Sequence, residues 1–385
     1  MAITIVQSPE ARASMHDDLW HVVTSNNTGQ TGFKYVFDVY ISTTLVARIK
    51  LFPDPTEDCG TFNASNIIRN YWTTYFKPNT TQTAFSYSTD GIFVAYTIKF
   101  GEEYGGTLYT NLTEANYEAF NFYNPIFRNW AVSYLDTFNG KWLTTRDRNA
   151  LTCGYTEKLY VPWFNYGFSD VLVKLRVTVD GGSEQTGTGA FTNALQIFDV
   201  SPAAINAYFA STIIPATATQ YRVRVDFGTV VYDDYLTIKL ACNRYEVETL
   251  HFLNSLGGYD TMTFRLVNRE ERTATRESYQ RPGWEVVSDS VARYDSYKKM
   301  YAGRVNHVIS QGVTFRLTSD FLTETDHTWL RDLIMSPEVY LEKSGYYYPV
   351  TIGTNNWAER VRTVDKMFNL TLDVNYSRPI NSQFR

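Results

Sequence analysis

The sequence predicts an all-β protein of antiparallel β-sandwich domains, and three observations lead to that expectation. Aromatic residues make up 16% of the 385 residues, led by 29 Tyr and 24 Phe, and flat side chains pair well across strands. Apolar and polar residues alternate strictly in run after run, the period of a half-buried strand. Turn clusters such as Pro53-Asp54-Pro55, Gly105-Gly106, Asn139-Gly140 and Gly181-Gly182 separate those runs.

Taken in chain order, Phe33, Tyr35, Phe37, Val39 and Ile41 share one face of a strand. A short helix is expected over 65–72. From 170 to 180, Val171, Val173, Leu175, Val177 and Val179 oppose Lys174, Arg176 and Thr178. Ser201-Pro202 reads as an N-cap followed by proline at the first helical position, opening a helix over 203–210. Tyr221, Val223, Val225 and Phe227 then oppose Arg222, Arg224 and Asp226. Thr323 caps a further helix whose first turn carries Glu324 and Asp326, where carboxylates suit the positive end of the dipole, and Ser336-Pro337 stops it. Phe368, Leu370, Leu372, Val374 and Tyr376 form the last alternating run. In contrast, residues 16–31 are polar and turn-prone, and are expected to form an arm outside any core.

Three domains follow from shifts in character along the chain: 1–120 and 121–244 as sandwiches, and 245–385 as a third β module. Residues 1–120 hold 12 acidic against 7 basic side chains, so the net charge of -5 arises there. An acidic chain is a poor candidate for binding nucleic acid by neutralising phosphates. With 19% charged and 44% hydrophobic residues the chain is neither disordered nor membrane-spanning in composition, and it opens without a basic, apolar secretion signal. Cys59, Cys153 and Cys242 lie far apart and form no C-x-x-C pair, so buried thiols in a reducing compartment are expected.

Signatures of chemistry are scarce. None of His16, His21, His251, His307 and His327 lies in an H-E-x-x-H arrangement, and Asp17 and Asp18 beside the first two are a faint metal signal at most. No G-x-S-x-G elbow or phosphate loop occurs. The doublets Glu102-Glu103 and Asp233-Asp234 cannot form catalytic carboxylate pairs alone, because neighbours in a strand point to opposite faces. Trp130, Trp142, Trp163, Tyr346, Tyr347 and Tyr348 are of a type that stacks on sugars, though core or interface packing accounts for them better. The most unusual stretch is 265–304, with 9 Lys or Arg against 6 Asp or Glu. There Arg265, Arg269, Glu270, Glu271, Arg272, Arg276 and Glu277 suggest a long exposed hairpin, either plain solvated surface or an edge whose mixed charges meet a copy of itself.

Several C-terminal runs carry a family resemblance. They are His251-Phe252-Leu253-Asn254-Ser255-Leu256-Gly257-Gly258-Tyr259-Asp260-Thr261-Met262-Thr263-Phe264, the Arg/Glu hairpin ending Arg276-Glu277-Ser278-Tyr279, Trp329-Leu330-Arg331-Asp332-Leu333-Ile334-Met335-Ser336-Pro337-Glu338-Val339-Tyr340, Tyr348-Pro349-Val350-Thr351-Ile352, and Phe368-Asn369-Leu370-Thr371-Leu372-Asp373-Val374-Asn375-Tyr376. In them the chain resembles tail and baseplate proteins of tailed bacteriophages, hub-like or distal-tail-like, especially those infecting Bacteroidetes. The resemblance implies a C-terminal tail-tube-like β-barrel module with one short helix, and a structural virion protein that builds a ring of the tail, neck or baseplate. It implies partners in further copies of the chain and in other tail or neck proteins, with room for phage DNA to pass through the ring. Neither a membrane span nor sequence-specific nucleic-acid binding is expected. The implied location is the virion, reached through assembly in the host cytoplasm. No cofactor, metal or catalytic residue is implied. The alternative classes are a carbohydrate-binding adhesin and a glycoside hydrolase of a phage tail.

Overall fold

The computed structural model describes residues 3–73, 76, 86–88, 93–123, 139–164, 172–190, 195–227, 234–280, 284–286, 292–294, 304–353, 369–378 and 382–384. Strands dominate, most of them in antiparallel ladders, as the alternation predicts. The chain divides into two compact units, one of Met1–Cys242 with Phe252–Thr261, the other of Asn243–His251 with Met262–Arg385.

Within the first unit, two sheets share one core. Thr4–Gln7, Trp20–Thr24 and Gly60–Asn63 form a three-stranded sheet; Arg12–Ser14, Thr107–Phe120, Phe93–Tyr104, Lys34–Ile41 and Thr44–Leu51 form a five-stranded one. Leu19 and Val23 pack with Tyr35, Phe37, Ile98 and Phe100 between them. A second core gathers Trp142, Trp163, Phe198, Val177, Tyr221 and Val223. Its strands include Leu172–Val179 and Gln220–Phe227, whose register places Val177 opposite Val223. Asp226 falls on the polar side of the alternation and is nevertheless buried, held by Arg176 and Arg224. Two short ladders are parallel, Arg12–Ser14 on the strand Thr107–Phe120 and Leu151–Gly154 on Leu236–Ala241.

The expected arm at 16–31 is corrected by this unit. Trp20–Thr24 is a central strand between two others, and Leu19, His21 and Val23 are buried. The polar run after it is tied down by one buried carboxylate: Ser25 donates its hydroxyl to Glu102, and Asn27 Nδ2 donates to Glu102 Oε2 at 2.8 Å. These hydrogen bonds offset the ordering entropy that apolar burial does not cover there.

The three helices among the described residues are short. Ser65–Arg69 (α1) is briefer than expected, while Pro202–Tyr208 (α2) opens where Ser201 accepts from Ala204 N. Glu324–Met335 (α3) begins where Thr323 accepts from Asp326 N, and Trp329, Leu330 and Leu333 bury one side of it. No described helix is long and apolar enough to cross a membrane.

The C-terminal strands form an eight-stranded sheet in the order Tyr259–Phe264, Glu248–Leu253, Val339–Lys343, Tyr346–Ile352, Thr371–Tyr376, Arg304–Thr318, Arg269–Gln280, with Ser382–Phe384 also against Arg304–Thr318. A two-residue turn, Ser344-Gly345 with φ of 53° and 78°, joins two of them, a conformation that matches strand twist. The expected barrel is corrected: among the described residues the sheet is open, because its two end strands share no ladder. Those ends are successive stretches of one chain, joined by 265–268, and each pairs with a different strand, Tyr259–Phe264 with Glu248–Leu253 and Arg269–Gln280 with Arg304–Thr318.

Candidate assembly surface

Arg269–Gln280 lies at one end of that sheet and pairs on one side only, with Arg304–Thr318. Every residue in it is exposed except half-buried Ser278. The long ladder runs from Arg269 opposite Arg316 to Gln280 opposite Arg304, with a bulge between Glu277 and Ser278. Among the described residues nothing pairs with its outer edge, so a row of N–H and C=O groups along twelve residues faces outward.

Strand geometry divides the expected charges between two faces. Glu270 lies opposite Phe315 and Arg272 opposite Val313, the buried side of the partner strand. Arg272 Nε donates to Glu270 Oε1 at 2.8 Å, and Lys343 Nζ reaches Glu270 Oε2 at 3.2 Å while lying over the Phe315 ring. The hydrogen bond from Arg272 holds the Glu270 carboxyl below its usual range. Glu248 approaches the same Lys343 at 4.0 Å and moves the other way, because burial disfavours its charge. For Lys343 burial is the largest influence and acts against the charge, but the hydrogen bond to Glu270 and the charges of Glu248 and Glu270 together outweigh it and raise the ammonium's pKa.

The opposite face carries Arg269, Glu271 and Glu277. Arg316 bridges Glu271 at 3.6 Å and Asp373 at 2.9 Å, a ladder of charge across three strands. Arg269 stands directly across from Arg316, like against like. Arg269, Arg276 and Glu277 form no ion pair with another described residue. Arg265 does not belong here: it precedes the strand, is buried, and approaches Asp320 at 3.8 Å. Lys343, Arg316 and Asp373 were missed by sequence reasoning, and only the strand register brings them to the ribbon.

The other sequence candidates are dispersed. His21 is enclosed by Tyr96, Phe100 and Tyr117, and burial lowers its pKa to about 3. His16 instead meets Asn121 Oδ1 at 2.7 Å. Glu103 pairs with Lys50 and Lys34, on the other side of the strand from Glu102. Asp234 accepts from Trp142 N at 3.0 Å and pairs with Arg148, while Asp233 and Trp130 lie outside the described residues. Trp142 and Trp163 are core residues. The three tyrosines split: Tyr347 faces His251, and exposed Tyr346 and Tyr348 lie together near Tyr376. Of the cysteines only Cys153 is buried. Among the described residues no group of three or more His, Cys, Asp or Glu could hold a metal ion.

No family model matches the chain, and no curated protein does. Among solved structures it shows a slight likeness to a crystal structure of chicken CNTN1 FN1-FN3 domains, at 8% identity and a TM-score of 0.20, over 61% of this chain and 67% of that one. A likeness that slight says nothing of what the chain does.

Proposed function

We propose that the chain is a structural virion protein of a tailed bacteriophage, a ring-forming component of the tail, neck or baseplate assembled by inter-subunit sheet contacts. The single observation supporting it is the open edge of Arg269–Gln280, twelve residues of strand held out from a packed sheet with nothing described against them. A monomeric protein gains little from such an edge and risks aggregation by it. Thr44–Leu51 and Gln185–Ala190 are further sheet-end strands, available for the second, heterologous contact that a closed ring requires. In this reading the C-terminal unit is the tail-tube-like module, with an open sheet in place of a barrel, and the sandwiches dock neighbouring tail or neck proteins. Glu102 and Asp234 are occupied by structural hydrogen bonds, which is the ground for reading them as folding residues and not as a hydrolase pair.

Mass photometry of the purified chain tests this. A closed oligomer larger than a dimer is expected, weakened by the triple change Arg269→Glu, Arg272→Glu and Arg276→Glu with an unchanged circular dichroism spectrum. A wild-type chain that stays monomeric at all concentrations, or that cleaves saccharides, would sink the proposal.

A further inference from the structure

We propose that the outer edge of Arg269–Gln280 pairs with the same edge of a second copy, antiparallel about a two-fold axis at Thr273. This deepens the assembly reading above by naming the partner and the register, and it rests on that reading only for the idea that sheet edges make the contact.

The charges select the register. An antiparallel two-fold pair joins like face to like face, so each candidate register is defined by the residue that meets its own copy. Centred on Thr273, Arg269 faces Glu277 and Glu270 faces Arg276, and the symmetry repeats both. Four facing pairs of opposite sign result, and no like-charged pair does. Glu271 faces Thr275, Arg272 faces Ala274, and neither is opposed by a charge. Centring on Arg272 sets that guanidinium against itself. Centring on Ala274 sets Arg272 against Arg276 and Glu271 against Glu277, each twice. A one-residue slip turns the Phe315 side of one ribbon against the Arg316 side of the other.

Charges on an edge strand ordinarily discourage pairing. This set discourages the neighbouring registers and favours one. It also supplies what the isolated subunit lacks: Arg269, Arg276 and Glu277, without an ion pair to any described residue, all gain a partner of opposite sign. The bulge falls after Glu277 and leaves the paired stretch regular. A two-fold contact stops at two copies, so the closed oligomer needs a further, heterologous contact elsewhere and is weakened when either contact is lost.

The test uses the full chain. Arg269→Glu alone and Glu277→Arg alone should each weaken dimerisation about tenfold or more in sedimentation measurements, by setting like charges opposite each other. The double change Arg269→Glu with Glu277→Arg should restore it, which a merely structural role for either residue would not produce. In a Cys242→Ser chain, Thr273→Cys treated with diamide should give a disulfide-linked dimer through two copies of the 273 peptide, since facing residues lie within disulfide reach. Thr275→Cys, which faces Glu271 in this register, should not. Failure of the double change to rescue, a link at 275 in place of 273, or a chain monomeric at its highest soluble concentration would each overturn the pairing. Rings without the 273 link would overturn it and leave the ring reading standing. A linked dimer that never grows into rings would do the reverse.

Discussion

Four residues, 265–268, separate Tyr259–Phe264 from Arg269–Gln280, and the two strands have opposite surroundings. All six residues of the first are buried, and eleven of the twelve in the second are exposed. The first, YDTMTF, mixes apolar and polar residues, whereas the second, REERTATRESYQ, is polar almost throughout. In the first strand the polar positions are satisfied internally: Thr261 accepts from Tyr160 N and donates to Tyr160 O, both at 3.2 Å, and Thr263 meets Thr249 at 3.5 Å. In the second, six of the twelve positions are long charged side chains, Arg269, Glu270, Glu271, Arg272, Arg276 and Glu277, that no hydroxyl-sized space could hold. One strand therefore belongs to the fold and the other is available to a partner.

The largest effect expected from this contrast is on the buried strand. Phe264 is fully buried, and Phe264→Ala should cost about 3–5 kcal/mol through lost burial and a residual cavity. Thr275→Ala on the ribbon should stay within about 0.5 kcal/mol. Urea unfolding followed by circular dichroism measures both. A ribbon change as costly as the core change would mean that the ribbon is packed against something in the isolated chain.

Next in size is the turn that feeds the buried strand. Gly257 has φ of 86°, and a Cβ there would overlap the carbonyl oxygen of Asn121. Gly257→Ala should cost at least about 1–2 kcal/mol from the left-handed backbone alone, with the overlap adding to it. An equal substitution at Gly345, also at positive φ (78°) but with open space around it, should show only the backbone part. If the two cost the same, the approach of Asn121 is not what requires glycine at 257.

Much of this contrast was legible in the sequence, and what was not has physical reasons. The caps at Ser201 and Thr323 were readable because capping is local: the hydroxyl and the amide it satisfies lie three residues apart. Arg269, Glu270, Glu271, Arg272, Arg276 and Glu277 were readable as one exposed ribbon because no core tolerates that density of charge. Arg265 was not separable from them, since its burial beside Asp320 depends on where the chain bends after Phe264. The strand Trp20–Thr24 was hidden by the polar residues after it, whose anchor, Glu102, lies far along the chain. The open sheet was equally hidden, because pairing order in a sheet is a long-range property that residue periodicity does not carry.

A smaller effect separates two carboxylates that share Lys343. Glu270 on the ribbon is lowered by its hydrogen bond from Arg272; Glu248 on the inner strand is raised by burial. The signs are opposite. Glu270 contributes stability that is present above its unfolded value near 4.5 and is lost as pH falls through the lower folded value. Glu248 carries a penalty that is absent at low pH and grows as pH rises from about 4.5 through its raised folded value. Glu248→Gln should therefore stabilise the chain slightly at pH 7 and not at pH 4, by about 1 kcal/mol or less. Glu270→Gln should destabilise it slightly at pH 7, with the difference shrinking toward pH 3. Denaturant midpoints at the two pH values would show the crossing, and parallel shifts for both variants would refute the division between inner strand and ribbon.

The smallest effect is the most telling for the ribbon. Arg269 lies opposite Arg316, whose own partners are Glu271 and Asp373, and all of them are largely in solvent. Like charges opposite one another in a ladder are mildly unfavourable, and exposed pairs count for about 0–1 kcal/mol. Arg269→Glu gives Arg316 an opposite charge across the ladder, so the isolated subunit should be unchanged or up to about 0.5 kcal/mol more stable. Yet the same substitution is expected to break pairing between ribbons, where Arg269 faces Glu277. A residue that served the fold would lose stability and association together. One that serves association alone would lose the second and keep the first. Thermal unfolding of Arg269→Glu at a concentration where wild type is monomeric distinguishes them, and a lowered midpoint there would return the ribbon to the fold.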